Sequence, residues 1–110
     1  MDTGLALVEI NLPKTLSQKA QIGQKIFEAK CAACHGTNAV GQEGVAPPLV
    51  HIIYEPNHHG DESFQRAVAM GVRAHHWRFG NMPAVEGLTH EDVKYIINYV
   101  RELQRENGIF

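Results

Sequence analysis

Two cysteines are all that this 110-residue chain contains, which leaves nothing for a four-cysteine zinc site. No pair of histidines after Cys34 has the short spacing that would complete a zinc finger. Charge of one sign is missing too. Charged residues make up 20% and the formal net charge is -2, which speaks against a nucleic-acid binder and against an acidic tail protein. No apolar run is long enough to span a bilayer. The N-terminus lacks the basic flank of a secretion signal and carries Asp2 and Glu9 instead. Strand-type alternation is absent, as is any internal repeat, so the chain reads as a single all-α domain. A core of this size is only moderately sufficient by itself.

What is present is Cys31-Ala32-Ala33-Cys34-His35, two thiols and an imidazole at the spacing of c-type haem attachment. Rival uses of the pair fare worse. A thioredoxin-like motif belongs beside a strand in a βαβ pattern, and no strand run precedes Cys31. A structural disulfide here would close a tiny loop and restrain little of the unfolded chain. The expected chemistry is therefore two thioether links from Cys31 and Cys34 to one haem, with His35 carried under the iron as the proximal ligand. Both thiols are then consumed, and the macrocycle gives the small core a large apolar plate. Because haem is normally attached outside the cytoplasm, the expected location is the bacterial periplasm, in preference to the mitochondrial intermembrane space. A targeting segment is expected to be absent from this chain.

Helix signals flank the motif. A first helix is predicted from near Thr15, with Gln18 completing a capping box, to about Lys30, with Ala20, Gly23 and Phe27 on one face. Residues 36–60, rich in Gly and Pro, read as irregular chain wrapping the cofactor, with Leu49, Val50, Ile52 and Ile53 facing it. Asp61 is the predicted cap of a second helix, with Phe64, Ala67 and Val68 inward and Gly71 as its stop. The last helix is the clearest. Thr89 and Asp92 form a capping box, Val93, Ile96, Ile97, Val100 and Leu103 form the apolar stripe, Arg101 and Arg105 suit its C-terminal end, and Gly108 ends it. Residues 1–14 are predicted to be an N-terminal arm and 15–108 the folded domain. The apolar stretch Leu5-Ala6-Leu7-Val8 would lie either on a partner or on the domain itself.

In order, a helix ending in Cys31-Ala-Ala-Cys34-His35, then Pro47-Pro48-Leu49, then Gly80-Asn81-Met82-Pro83, then a capped helix with Ile97-Asn98-Tyr99-Val100-Arg101, resembles class I cytochrome c. The resemblance covers residues from about Leu16 to Gln104. It implies a cytochrome c-like fold of three main helices around one covalent haem. It also implies Cys31 and Cys34 as attachment points, His35 and Met82 as axial ligands, and a Pro47 carbonyl that accepts a hydrogen bond from the other nitrogen of His35. Gly23 and Phe27 would cross Tyr99 where the terminal helices meet.

Met82 has a physical case of its own, since a soft neutral thioether favours ferrous iron and raises the reduction potential. Met70, late on the second predicted helix, reads as core packing, and Met1 is terminal. Trp77, Arg78 and Tyr54 are the candidate partners of the haem propionates, because a buried carboxylate needs donors. His90 reads as solvated. His58-His59 and His75-His76 are two pairs without an assigned role. They are read as loop histidines, with two sharper alternatives: His75 or His76 replacing Met82 on the iron, or the pairs meeting on copper or zinc.

The expected function is single-electron transfer between redox protein partners through a His/Met-ligated haem c, with no catalysis by the chain itself. Two alternatives stand beside it. One is an electron-accepting subunit or domain of a larger oxidoreductase. The other is a haem enzyme or gas sensor with a displaceable distal ligand.

Overall fold

A computed structural model describes residues 8, 10–42, 46, 48–56, 59–72 and 82–110. Among these residues the architecture is helical, and the only extended pairings are two isolated bridges, Gln42 with Ala46 and Val72 with Met82. Four α-helices follow in order: α1 (Gln18–Lys30), α2 (Ala32–His35), α3 (Asp61–Met70) and α4 (His90–Glu106). Short 3-10 turns lie at Thr37–Ala39 and Ile52–Tyr54. The all-α expectation holds.

The crossing of α1 and α4 organises the fold. Ala20 and Phe27 on α1 are buried against Ile96, Tyr99, Val100 and Leu103 on α4, and Ala39 and Val50 complete the cluster. Gly23 sits at the contact, where a Cβ would overlap the carbonyl oxygen of Tyr95, so only glycine lets the two backbones come this close. The rings of Phe27 and Tyr99 meet at 5.6 Å between centroids, tilted by 57°, a favourable aromatic arrangement.

The start of α1 differs from the prediction. Ser17, not Thr15, is the N-cap, and its oxygen accepts from the Ala20 amide at 3.1 Å. The reason is tertiary. The Ser17 hydroxyl and amide both donate to the Glu102 carboxylate on α4, which fixes the entry of the chain. The N-terminal segment is tied at the same end of α4: Asn11 and Asn107 exchange hydrogen bonds of 2.7 and 2.8 Å, and Ile10 packs on the core. Leu5, Ala6 and Leu7 lie outside the described residues.

Helix α4 carries the expected capping box. The Thr89 amide donates to Asp92 at 3.0 Å, and the Asp92 amide donates to the Thr89 hydroxyl at 3.1 Å. Its whole predicted stripe is buried. Helix α3 begins at Asp61, but the N-cap position is Gly60. The Asp61 carboxylate is taken by Arg101 instead, at 3.0 Å. Met70 is 71% exposed, so its reading as a core residue was wrong: α3 turns that edge away from α4. Val50, read as facing a cofactor, packs inside the protein's own core.

Candidate functional site

Helix α1 ends at Lys30 and hands the chain directly to the Cys31–His35 turn. The amides of Cys34 and His35 both donate to the Cys31 carbonyl, at 3.1 and 2.9 Å. That closes a single helical turn, and it brings residues i, i+3 and i+4 onto one face. Both thiols are free; Cys31 is half-buried and Cys34 exposed, while His35 is buried. Cys31 and Ala32 pack on the same apolar cluster as Leu49 and Phe64. Burial, and then the neighbouring Cys34, push the Cys31 thiol up to about 11. It therefore holds its proton at neutral pH and is a poor partner in disulfide exchange.

The turn is locked from behind. Gly36 follows with φ of 81° and ψ of 160°, a conformation that is almost glycine-only. A Cβ there would lie 2.6 Å from the Gly41 carbonyl oxygen. The Gly41 amide donates to the His35 carbonyl at 2.6 Å, and the Gln42 side-chain amide donates to the carbonyls of Ala33 and Cys34 at 2.7 and 3.2 Å. The backbone around His35 is thus held by three hydrogen bonds from two donor groups. Asn38 and Ala39 adopt positive φ to bring the chain around. Gln42 Oε1 is buried and has no hydrogen-bond partner among the described residues.

A second group of contacts fixes the 49–59 loop. Arg101, whose side chain is 7% exposed, donates to the carbonyls of Tyr54 and His59, each at 2.6 Å, and to Gln104 Oε1 at 2.7 Å. Its guanidinium also lies 4.8 Å from the centre of the Phe64 ring. Gln104, fully buried, donates to the carbonyls of Leu49 and Tyr54 at 2.9 and 3.0 Å. Arg101, expected only to suit the C-terminal end of the helix, is the centre of this network. Sequence periodicity did contain the signal: Arg101 stands four residues after Ile97, and Gln104 four after Val100, both in phase with the apolar stripe.

Leu49 and Tyr54 are therefore backbone-anchored on α4, and the Tyr54 and His59 rings meet at 5.0 Å between centroids, tilted by 41°. His59 Nδ1 donates to the Ile53 carbonyl at 2.6 Å, and the Ile53 amide donates to His51 Nδ1 at 3.1 Å. His90 is exposed as expected. Met82, half-buried, exchanges two 2.8 Å backbone hydrogen bonds with Val72, just beyond α3. Pro47, His58, His75, His76, Trp77 and Arg78 lie outside the described residues. Among the described residues, no group of three or more His, Cys, Asp or Glu side chains is placed to hold a metal ion. Among the same residues, no helix is long and apolar enough to cross a membrane.

The donor chemistry of this turn suits a covalently held haem. Two reduced thiols one turn apart are available for thioether bonds, and an imidazole on a rigid backbone follows them.

Comparison with known proteins gives the same direction. The family model for Cytochrome c matches residues 20–104. The Cbb3-type cytochrome c oxidase subunit CcoP of Helicobacter pylori strain 52 is 36% identical over 89 residues, which is 79% of this chain and 28% of that protein. The subunit of the same name from Azospirillum brasilense is 41% identical over 49 residues, 40% of this chain and 17% of that protein. The chain thus spans less than a third of the length of these relatives.

Proposed function

This chain belongs to the cytochrome c family and serves haem-based electron transfer, and from that premise we propose one haem c, attached through Cys31 and Cys34, with His35 and Met82 as its axial pair. The observation that carries the proposal is the locked turn, which presents two free thiols and the following histidine on one face.

Bound there, the iron supplies one-electron chemistry by cycling between ferric and ferrous states. The protein's part is to hold and to tune. Gly41 and Gln42 keep the His35 backbone from moving as the iron changes charge, which keeps reorganisation small. Met82 supplies a soft, neutral donor that favours the ferrous state and raises the potential. With His35 and Met82 both holding the iron, a substrate would have no place on it, and the part of the chain itself would be electron transfer without bond chemistry. Tyr54, Trp77 and Arg78 are the proposed propionate partners. The domain spans 15–108 with 1–14 as an arm, and the periplasm is the proposed compartment.

The named relatives are subunits of an oxidase. That supports a second, compatible reading, in which this domain passes electrons to or within a larger oxidoreductase. Carbon monoxide added to the reduced holoprotein tests the closed iron. Slow or negligible binding at neutral pH is expected, and Met82→Ala should make it rapid and remove the sulfur-to-iron charge-transfer band of the ferric protein. Rapid stoichiometric binding to the unaltered protein would refute the electron-carrier assignment.

A further inference from the structure

The end of α3 and the Met82 segment touch in a way that neither helix signals nor the haem motif require. Gly71 terminates α3 with φ of 79° and ψ of 179°, a conformation that costs other residues heavily. A Cβ at this position would lie 2.5 Å from the Met82 carbonyl oxygen, 3.1 Å from the Ala84 nitrogen and 3.3 Å from the Pro83 carbonyl carbon. All three are backbone atoms, so no flexible side chain can move aside. Immediately after, Val72 and Met82 donate to one another's carbonyls at 2.8 Å each, and the Val85 amide donates to the Val68 carbonyl at 2.8 Å. The Met82–Val85 backbone is thus fastened by three hydrogen bonds, two at Val72 just beyond α3 and one at Val68 in its last turn, and the close approach exists only because residue 71 has no side chain.

We propose that Gly71 is a positioning residue for the sixth iron ligand: together with the Val72–Met82 bridge it sets the depth at which the Met82 backbone is held, and so whether its sulfur reaches the iron. The inference rests on Met82 being that ligand. It adds that the length and strength of the iron–sulfur bond are governed from α3, a helix with no ligand of its own. The device acts by backbone placement. A thioether on a free loop would exchange with water or imidazole, whereas one anchored within a residue of its Cα pays little entropy on ligation.

The test compares Gly71→Ala with Gly108→Ala in the holoprotein. Gly108 also has a positive φ, 80°, but none of the described residues comes within 4 Å of a Cβ built there, so it carries the strain of a positive φ without the collision. Gly71→Ala is expected to lower the midpoint potential, weaken or abolish the charge-transfer band and speed carbon monoxide binding. Gly108→Ala should leave all three unchanged. A folded Gly71→Ala with the parent's band and potential would overturn the proposal. Should Gly71→Ala not fold, the parent protein itself decides, by backbone hydrogen exchange during titration with imidazole. Val72 and Met82 amides are expected to lose protection in step with the band, and retained protection while the band disappears would overturn the proposal. The underlying reading is tested separately by Met82→Ala. A band unchanged by Met82→Ala removes both, whereas a band lost there but kept in folded Gly71→Ala removes only the role of Gly71.

Discussion

Replacing Arg101 with methionine probes the network that holds the 49–59 loop against α4. Methionine keeps most of the apolar stem and removes the donors. Of the groups that Arg101 satisfies, the Tyr54 carbonyl retains Gln104 Nε2 at 3.0 Å, so it is not orphaned. The His59 carbonyl and Gln104 Oε1 lose the bonds of 2.6 and 2.7 Å described above. Gln104 is fully buried, so stripping its Oε1 of a partner costs about 1–3 kcal/mol, whereas His59 is only half-buried. The contact with Phe64 adds roughly 1 kcal/mol. Asp61 contributes little, because its side chain is 67% exposed and such an ion pair is worth about 0–1 kcal/mol. With the one buried acceptor counted, the expected loss is therefore about 2–5 kcal/mol. Against a total stability of order 5–15 kcal/mol, that is a large fraction. Guanidinium chloride unfolding of the holoprotein, followed for the parent, Arg101→Met and Asp61→Asn, measures it. A loss in Arg101→Met no larger than that in Asp61→Asn would refute the reasoning, since the effect would then be surface charge and not the anchoring of buried carbonyls.

Two further outcomes check the fold. Burial foremost, then the Glu28 carboxylate, raise Tyr99 from its ordinary 10.0 to about 12, against a lowering contribution from the Gln24 hydrogen bond. Both folded and unfolded states keep the phenol proton below about pH 10, so stability there is unaffected by this group. Above it the unfolded chain releases the proton first, and stability falls as pH rises towards 12 with a slope of up to one proton per molecule unfolded. Alkaline unfolding should show that slope, and Tyr99→Phe should remove it; an unchanged slope would refute the assignment. At the start of α1, Ser17→Ala should cost about 1 kcal/mol as a lost cap, whereas Thr15→Ala should be neutral in thermal unfolding. The reverse order would restore Thr15 as the cap.

Much of this molecule was legible along the chain because its signals are local. The Thr89–Asp92 capping box, the Val93–Leu103 stripe and the Ala20–Gly23–Phe27 face depend on residues within a turn or two of one another, and helical periodicity exposes them. Glycine marked the end of α3 for the same reason, since positive φ is a property of one residue. The misreadings share the opposite cause. Ser17 prevailed over Thr15 because of Glu102, 85 residues away. Asp61 left its cap for Arg101, 40 residues away. Met70 looked like a core residue from its neighbours on α3, yet it is exposed because of the side of that helix α4 covers.

The five residues from Cys31 to His35, by themselves, set the expectation of a haem c, because thioether attachment requires two thiols and a histidine at this spacing along the chain. Tertiary structure decided what holds those donors still. The His35 carbonyl meets the Gly41 amide, the Met82 backbone rests on Gly71, and Arg101 gathers the carbonyls of a distant loop. Each of these contacts depends on how closely two backbones approach in space. A pattern written along one dimension holds no record of that distance until the helices have crossed.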